Sequence, residues 1–93
     1  MKTYGPSDRH RRVNQADLSA IPAGKRYAAC KVFHALANHA DQRTLTTWAP
    51  LEKLAAHAGV STKTVSRSIN ELEKGGLILV NRRRTNMYLL LIS

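Results

Sequence analysis

Residues Leu51 to Leu77 read LEKLAAHAGVSTKTVSRSINELEKGGL, a pattern that predicts two helices joined by a tight turn. In the first helix, from about Pro50 to Ala58, apolar residues recur at the three- and four-residue spacing of one helical face. Gly59 follows where helices commonly end in a left-handed residue, and the Ser61 hydroxyl can cap the next helix. The second helix is predicted to stop at Gly75-Gly76.

The outer face of the second helix is the part of such a pair that enters the DNA major groove. At about 100° per residue, this face lies opposite an apolar stripe of Val65, Ile69 and Leu72. The candidate DNA contacts on this helix are Ser61, Thr62, Lys63, Thr64, Ser66, Arg67 and Asn70, with Lys74 on the same face. The alternative is the solvated face of an ordinary amphipathic helix.

The charge balance is the most informative part of the composition. The chain has 93 residues, which suits one small domain, and its 15 Lys and Arg against 6 Asp and Glu give a formal net charge of +9. A domain this basic attracts polyanions, and nucleic acid is the leading candidate. Membrane binding is less favoured, because no basic amphipathic helix with large apolar anchors is visible. Charge for solubility alone is the remaining alternative, and the clustering of the basic residues argues against it.

Residues 1–22 are expected to form a basic, largely flexible N-terminal arm, and residues 23–93 a DNA-binding domain. A short helical turn is predicted near Asn14 to Ala20. The candidate arm contacts are Arg9, Arg11 and Arg12. They could follow phosphates or reach a minor groove, whereas a disordered terminus without such a role is the alternative.

Ala23 to Ala40 is predicted to be a helix, and the next stretch is predicted to be extended. The expected buried stripe of the helix is Tyr27, Cys30, Phe33, Leu36, Ala37 and Ala40. Asp41 to Ala49 is rich in β-branched residues and predicts a short strand at the edge of a small sheet. We expect Trp48 to pack in the core, with base stacking as its alternative role.

Leu77 to Val80 and Met87 to Ile92 are predicted strands, and the polar loop between them makes a hairpin. The loop carries three adjacent arginines, Arg82, Arg83 and Arg84. Such crowding is unfavourable unless an anion neutralises it, as a phosphate backbone or a narrow minor groove would. In a hairpin all three cannot point one way, so we expect one or two on DNA. The alternative is a solvated loop.

The pattern L-x-x-L-A-x-x-x-G-V-S-x-x-T-V-x-R-x-I-x-x-L-x-x-x-G-L-I, from Leu51 to Ile78, resembles winged helix-turn-helix domains of bacteria, phages and plasmids. The resemblance covers about residues 23–92; Trp48 and Asn86-x-Tyr88 are particularly similar to replication initiators and small regulators. It implies a mainly α fold with a small antiparallel β-hairpin, that is, a three-helix core plus a β-wing. It also implies base and phosphate contacts at Ser61, Lys63, Thr64 and Arg67. Ala49-Pro50 departs from the family, which often has a capping Ser or Thr there, so we expect a weaker cap.

The sequence gives little support for catalysis or metal binding. His10, His34, His39 and His57 have no metal-ligand spacing, and Cys30 has no CxxC partner. No Gly-rich phosphate loop and no paired carboxylates are visible. We therefore expect no enzyme activity, no catalytic or metal site, no cofactor and no small-molecule ligand. The polar N-terminus shows no secretory signal, and the lone cysteine excludes an internal disulfide framework.

The sequence favours a sequence-specific double-stranded DNA-binding protein, most simply a small transcriptional regulator of a bacterial, phage or plasmid system. One alternative is the DNA-binding domain of a plasmid or phage replication initiator. Another is a protein-interaction module whose basic face docks an acidic partner. We expect a cytoplasmic, nucleoid-associated homodimer on repeated half-sites, because one such domain reads only a few base pairs. The candidate dimer interfaces are the first helix, the arm and Leu89 to Ile92.

Overall fold

A computed structural model describes residues 13, 15–41, 43–83 and 86–91. Within these residues, helices α1 (Ala23–His39), α2 (Leu51–Ala58) and α3 (Thr62–Lys74) pack around one core. Strands β1 (Thr46–Thr47), β2 (Ile78–Asn81) and β3 (Met87–Leu90) form an antiparallel sheet in the order β1-β3-β2. The predicted mainly α fold with a β-hairpin is confirmed, and so is the short edge strand before α2.

The tight turn between α2 and α3 has the predicted local chemistry. Gly59 adopts φ +72°, and the N–H groups of Gly59 and Val60 both donate to the Ala55 carbonyl, at 2.8 and 3.1 Å. The Ser61 Oγ accepts the Thr64 N–H at 3.1 Å and so caps α3. Pro50 precedes α2 and makes no side-chain capping bond, as expected for the weaker cap. The orientation of α3 relative to α2 is therefore set by the backbone geometry of the turn between them.

The core lies between α1, the α2–α3 pair and the inner face of the sheet. Its larger members are Phe33, Leu36, Leu54, Val65, Ile69, Leu72, Ile78, Tyr88 and Leu90. In β3, Tyr88 and Leu90 are buried while Met87 and Leu89 are only partly buried, as the two-residue period of a strand requires. Val80 pairs with Tyr88, so this register places the inward-facing residues of β2 and β3 side by side against the helices.

The buried face of α1 differs from the predicted stripe. Tyr27 is 76% exposed, and the Lys31 ammonium lies 5.0 Å from its ring centroid. Cys30 is only partly buried, whereas Ala29 and Val32 are fully buried. Because 3.6 residues make one turn, a stripe drawn at every third residue drifts around the helix. Tyr27 consequently lies about 120° away from Phe33, which is in the core.

The prediction that Trp48 packs in the core is wrong, since Trp48 is 59% exposed. Thr47 is buried in its place, at 3% exposure, and pairs with Tyr88 of β3. Successive residues of a strand face opposite sides. With Thr47 turned inward, Trp48 must turn outward, and Tyr88 fills the space beneath the sheet.

The segment before α1 contributes to the core. Val13 and Ile21 are 1% and 0% exposed, although both fall within the stretch expected as an arm. The Arg26 side chain holds this segment: its Nε donates to the carbonyls of Leu18 at 3.0 Å and Ile21 at 2.8 Å, and its Nη2 donates to Ser19 at 3.2 Å. Val13 and Gln15 have helical backbone, near the predicted turn. Arg9, Arg11 and Arg12 lie outside the described residues.

Candidate nucleic-acid interface

Helix α3 presents its polar residues on one accessible surface. Val65, Ile69 and Leu72 are buried as predicted, and Ser68 is buried beside them at 5% exposure. The exposed residues of the predicted site are Ser61, Thr62, Lys63, Ser66, Arg67 and Asn70, and Lys74 is exposed with them. Thr64 is partly buried. The cations on this surface are all on the side of α3 that faces away from the core.

Ser61 and Thr64 are occupied by the cap of α3. The Ser61 hydroxyl donates to Thr64 Oγ1 at 3.0 Å and accepts the Thr64 N–H at 3.1 Å. A hydroxyl donates one proton, so Ser61 has used its donor within the protein. The Thr64 hydroxyl proton is not used in this pair and can be given to an anion. Of the two, Thr64 is therefore the better candidate donor to a phosphate oxygen.

A groove between α1 and α3 runs beside Arg67. Gly24 and Ala28 of α1 and Thr64, Arg67 and Ser68 of α3 line it, together with Lys25 and Glu71. The small residues Gly24 and Ala28 keep this side of Arg67 open. The guanidinium can thus change direction without displacing a bulky neighbour, as a residue that adapts to a base edge must.

Both acidic residues of α3 are paired with cations from flanking elements. Glu71 Oε2 lies 3.4 Å from the Lys25 ammonium of α1. Glu73 accepts two hydrogen bonds from Arg82, at 3.2 Å from Nη1 and 3.0 Å from Nη2. Unpaired carboxylates at this surface would repel an anion such as a phosphate, and the paired cations offset that repulsion. The partners are 46 and 9 residues apart in sequence, so no local pattern could have predicted either pair.

The wing begins with Arg82, directly after β2. The hydrogen bonds from Arg82, and then its positive charge, hold the pKa of Glu73 below its ordinary value, so this carboxylate is ionised at neutral pH. Arg83 is exposed, and its backbone N–H donates to the Asn81 side-chain oxygen at 3.1 Å. Arg84 lies outside the described residues. Of the two described wing arginines, Arg82 is engaged by the protein and Arg83 faces solvent.

Three basic groups meet where α1 ends near α2. The rings of His39 and His57 lie 5.7 Å apart in an edge-on arrangement. Burial lowers the pKa of His39, and the charges of His57 and Lys53 lower it further.

Among the described residues, no three His, Cys, Asp or Glu side chains are grouped so that they could hold a metal ion. Within the same residues, no helix has the length and apolarity to cross a membrane.

Comparison with known families gives one match. A family model described as a helix-turn-helix domain matches residues 27–78, which is more than half of the chain. The matched stretch includes most of α1, all of α2 and α3, and the first residue of β2. It leaves out the wing loop and the segment before α1. No curated protein and no solved structure matches the chain.

Proposed function

Because this chain belongs to the helix-turn-helix domain family, we propose that it binds double-stranded DNA sequence-specifically, as a small transcriptional regulator of a bacterial, phage or plasmid system. The observation that carries the proposal is the outer face of α3. It exposes three cations, Lys63, Arg67 and Lys74, on a helix whose two acids are both paired. No catalytic role is proposed. A regulator of this kind acts in the cytoplasm, on the nucleoid.

The side chains divide by the part of DNA that suits them. Arg67 is the proposed base-reading residue, because arginine pairs bidentately with guanine. Lys63 and Thr64 are proposed phosphate contacts near the start of α3. Further proposed contacts are Ser61, which caps this helix, and Thr62, Ser66 and Asn70 within it. Arg83 and Arg84 are proposed wing contacts, and Arg9, Arg11 and Arg12 are proposed arm contacts.

The test is the Arg67→Ala variant, titrated on a duplex selected from random sequence by the wild-type protein. We expect a loss of about 1–3 kcal/mol on this site and relaxed specificity at one base pair. Arg43→Ala is the matched control, since Arg43 is an exposed arginine outside the helix pair. Equal losses on all sequences would assign Arg67 to a phosphate. Unchanged affinity would rule out this face of α3.

A replication initiator could use the same interface, so binding alone does not separate the two biological roles. The genomic neighbourhood does: a flanking replication origin favours an initiator, and a divergent promoter favours a regulator. The interaction-module alternative makes a different prediction. It requires wild-type protein to show no saturable, salt-dependent footprint on any duplex, and such a footprint would exclude it.

We also propose that the protein binds DNA as a homodimer through the outer face of the sheet. Leu79 and Leu91 are exposed there, at 55% and 43%, and Leu89, the partner of Leu79 on β3, is partly buried. Two copies that each carry +9 repel one another, so they approach most easily through apolar side chains. These three leucines form an apolar surface, and a second copy would cover it.

A further inference from the structure

We propose that Glu73 and Arg82 form a strut that fixes the wing against the recognition helix, and that Arg82 is a positioning residue and not a DNA contact. The proposal rests on the DNA-binding function proposed above and assigns a role within that interface. It separates Arg82 from Arg83, although the two are adjacent in the sequence.

The geometry of the pair is that of a rigid link. Both Nη atoms of Arg82 donate to different oxygens of Glu73, at 3.2 and 3.0 Å, which is the two-bond arrangement that fixes the planes of both groups. Glu73 is in the last turn of α3, and Arg82 directly follows β2. The link therefore spans the two elements whose relative position sets where the wing lies on DNA.

Transfer of the Arg82 guanidinium from Glu73 to a DNA phosphate would bring little gain in interaction energy. The exchange would replace one anion with another and would leave the Glu73 carboxylate unpaired beside the DNA backbone. Like charges at such short range repel, and the repulsion opposes the exchange. The arginine therefore stays on its carboxylate when DNA binds.

The chain beyond Arg82 is turned outward by a second local contact. The Asn81 side-chain oxygen accepts the Arg83 N–H at 3.1 Å and bends the backbone directly after β2. Arg82 is thus tied to α3 while Arg83 projects to solvent. The fixed residue orients the free one, which makes Glu73 a determinant of specificity through the direction of Arg83.

The pair is too exposed to act mainly on stability. The side chains of Arg82 and Glu73 retain 50% and 36% of their exposure, and ion pairs in such positions contribute little to folding. Variants that break the pair should keep a melting temperature close to that of wild type. Changes in DNA binding can then be attributed to the interface.

The experiment is a double-mutant cycle with Arg82→Gln, Glu73→Gln and both together, each titrated over a range of salt. Arg82→Gln should leave the slope of log K against log salt unchanged and lower the ratio of specific to non-specific affinity by about fivefold, as for one weak specific contact. Glu73→Gln releases Arg82 to phosphate, so its slope should steepen by about 0.9. In the double variant the slope should return to the wild-type value.

Glu52→Gln is the control, because it removes the same charge from an exposed position on α2 and leaves Arg82 on Glu73. It should neither steepen the slope as Glu73→Gln does nor lower the ratio as Arg82→Gln does. The strut is overturned if Arg82→Gln alone flattens the slope by about 0.9, since Arg82 would then be a phosphate contact. It is also overturned if Glu73→Gln keeps the wild-type slope. Wild-type protein without salt-dependent binding would instead overturn the proposed function.

Discussion

Trp48 is a single residue whose exposure reverses the expectation from its type. It is the only tryptophan of the chain, so its fluorescence reports on one position. Replacement of a buried tryptophan or phenylalanine by alanine costs about 3–5 kcal/mol. Since Trp48 is 59% exposed, we expect Trp48→Ala to lower the free energy of unfolding by less than half of that amount.

Urea unfolding followed by circular dichroism measures this difference. Phe33→Ala is the control, because Phe33 is fully buried and should show the full loss. The emission maximum of the folded wild-type protein should already lie close to that of the unfolded chain. Equal losses for Trp48→Ala and Phe33→Ala would contradict the exposed position.

The residues that could be predicted are those whose role depends on near neighbours. Gly59 and Ser61 act through backbone groups a few positions away, and their types identify the turn. Trp48 and Tyr27 were predicted wrongly, because the face that an aromatic residue takes is decided by what packs beneath it. Glu73 was not predicted at all, since folding alone brings Arg82 to it.

The turn between α2 and α3 is an element whose stability depends on one backbone angle. Gly59 has φ +72°, and a Cβ added there would meet nothing within 4 Å. Gly59→Ala is therefore disfavoured only by the left-handed backbone, which costs a residue with a side chain about 1–2 kcal/mol. Asparagine tolerates this conformation better, so Gly59→Asn should lose less.

Gly24→Ala is the matched control in chemical denaturation. Gly24 also has open space around its Cβ position, but it lies within α1 and has no positive φ. Alanine favours helix over glycine by up to about 1 kcal/mol, so this variant should be as stable as wild type or more stable. A Gly59→Ala protein with wild-type stability would contradict the left-handed turn.

The helices and the hairpin could be predicted to within a few residues, whereas the burial of the segment before α1 could not. The motif helices have regular apolar spacing and clear end signals. Val13 and Ile21 lie in a polar stretch that contains prolines and shows no sustained period. The part of this segment next to α1 is held by Arg26, which donates to the carbonyls of Leu18, Ser19 and Ile21, and a sequence pattern does not show such contacts.

The protein as a whole is strongly basic, whereas the outer face of its sheet exposes leucines. A charged substitution on that face tests the proposed dimer. Leu79→Glu places a charge on the proposed interface and should give a monomer by analytical ultracentrifugation, with weaker binding to paired half-sites. The fold should persist, because the Leu79 side chain is more than half exposed.

The Tyr27→Glu variant tests whether the dimer forms through α1 instead of through the outer face of the sheet. Tyr27 is exposed on α1, which is the competing interface. We expect this variant to remain a dimer. A wild-type monomer both free and on DNA, or a dimer disrupted by Tyr27→Glu alone, would exclude the sheet interface.

The core is closed by residues that lie on both sides of the helix pair along the chain. Val13 and Ile21 cover it before α1, and Tyr88 and Leu90 cover it after the wing. A fragment cut at Ala23 and Lys74 keeps α3, but its core is open to solvent on two sides. Transplanted into a host protein, such a fragment would keep the orientation of α3 only where the host supplied apolar side chains that cover the same two sides. In this chain, α3 and the residues that close the core on either side of it therefore fold as one unit.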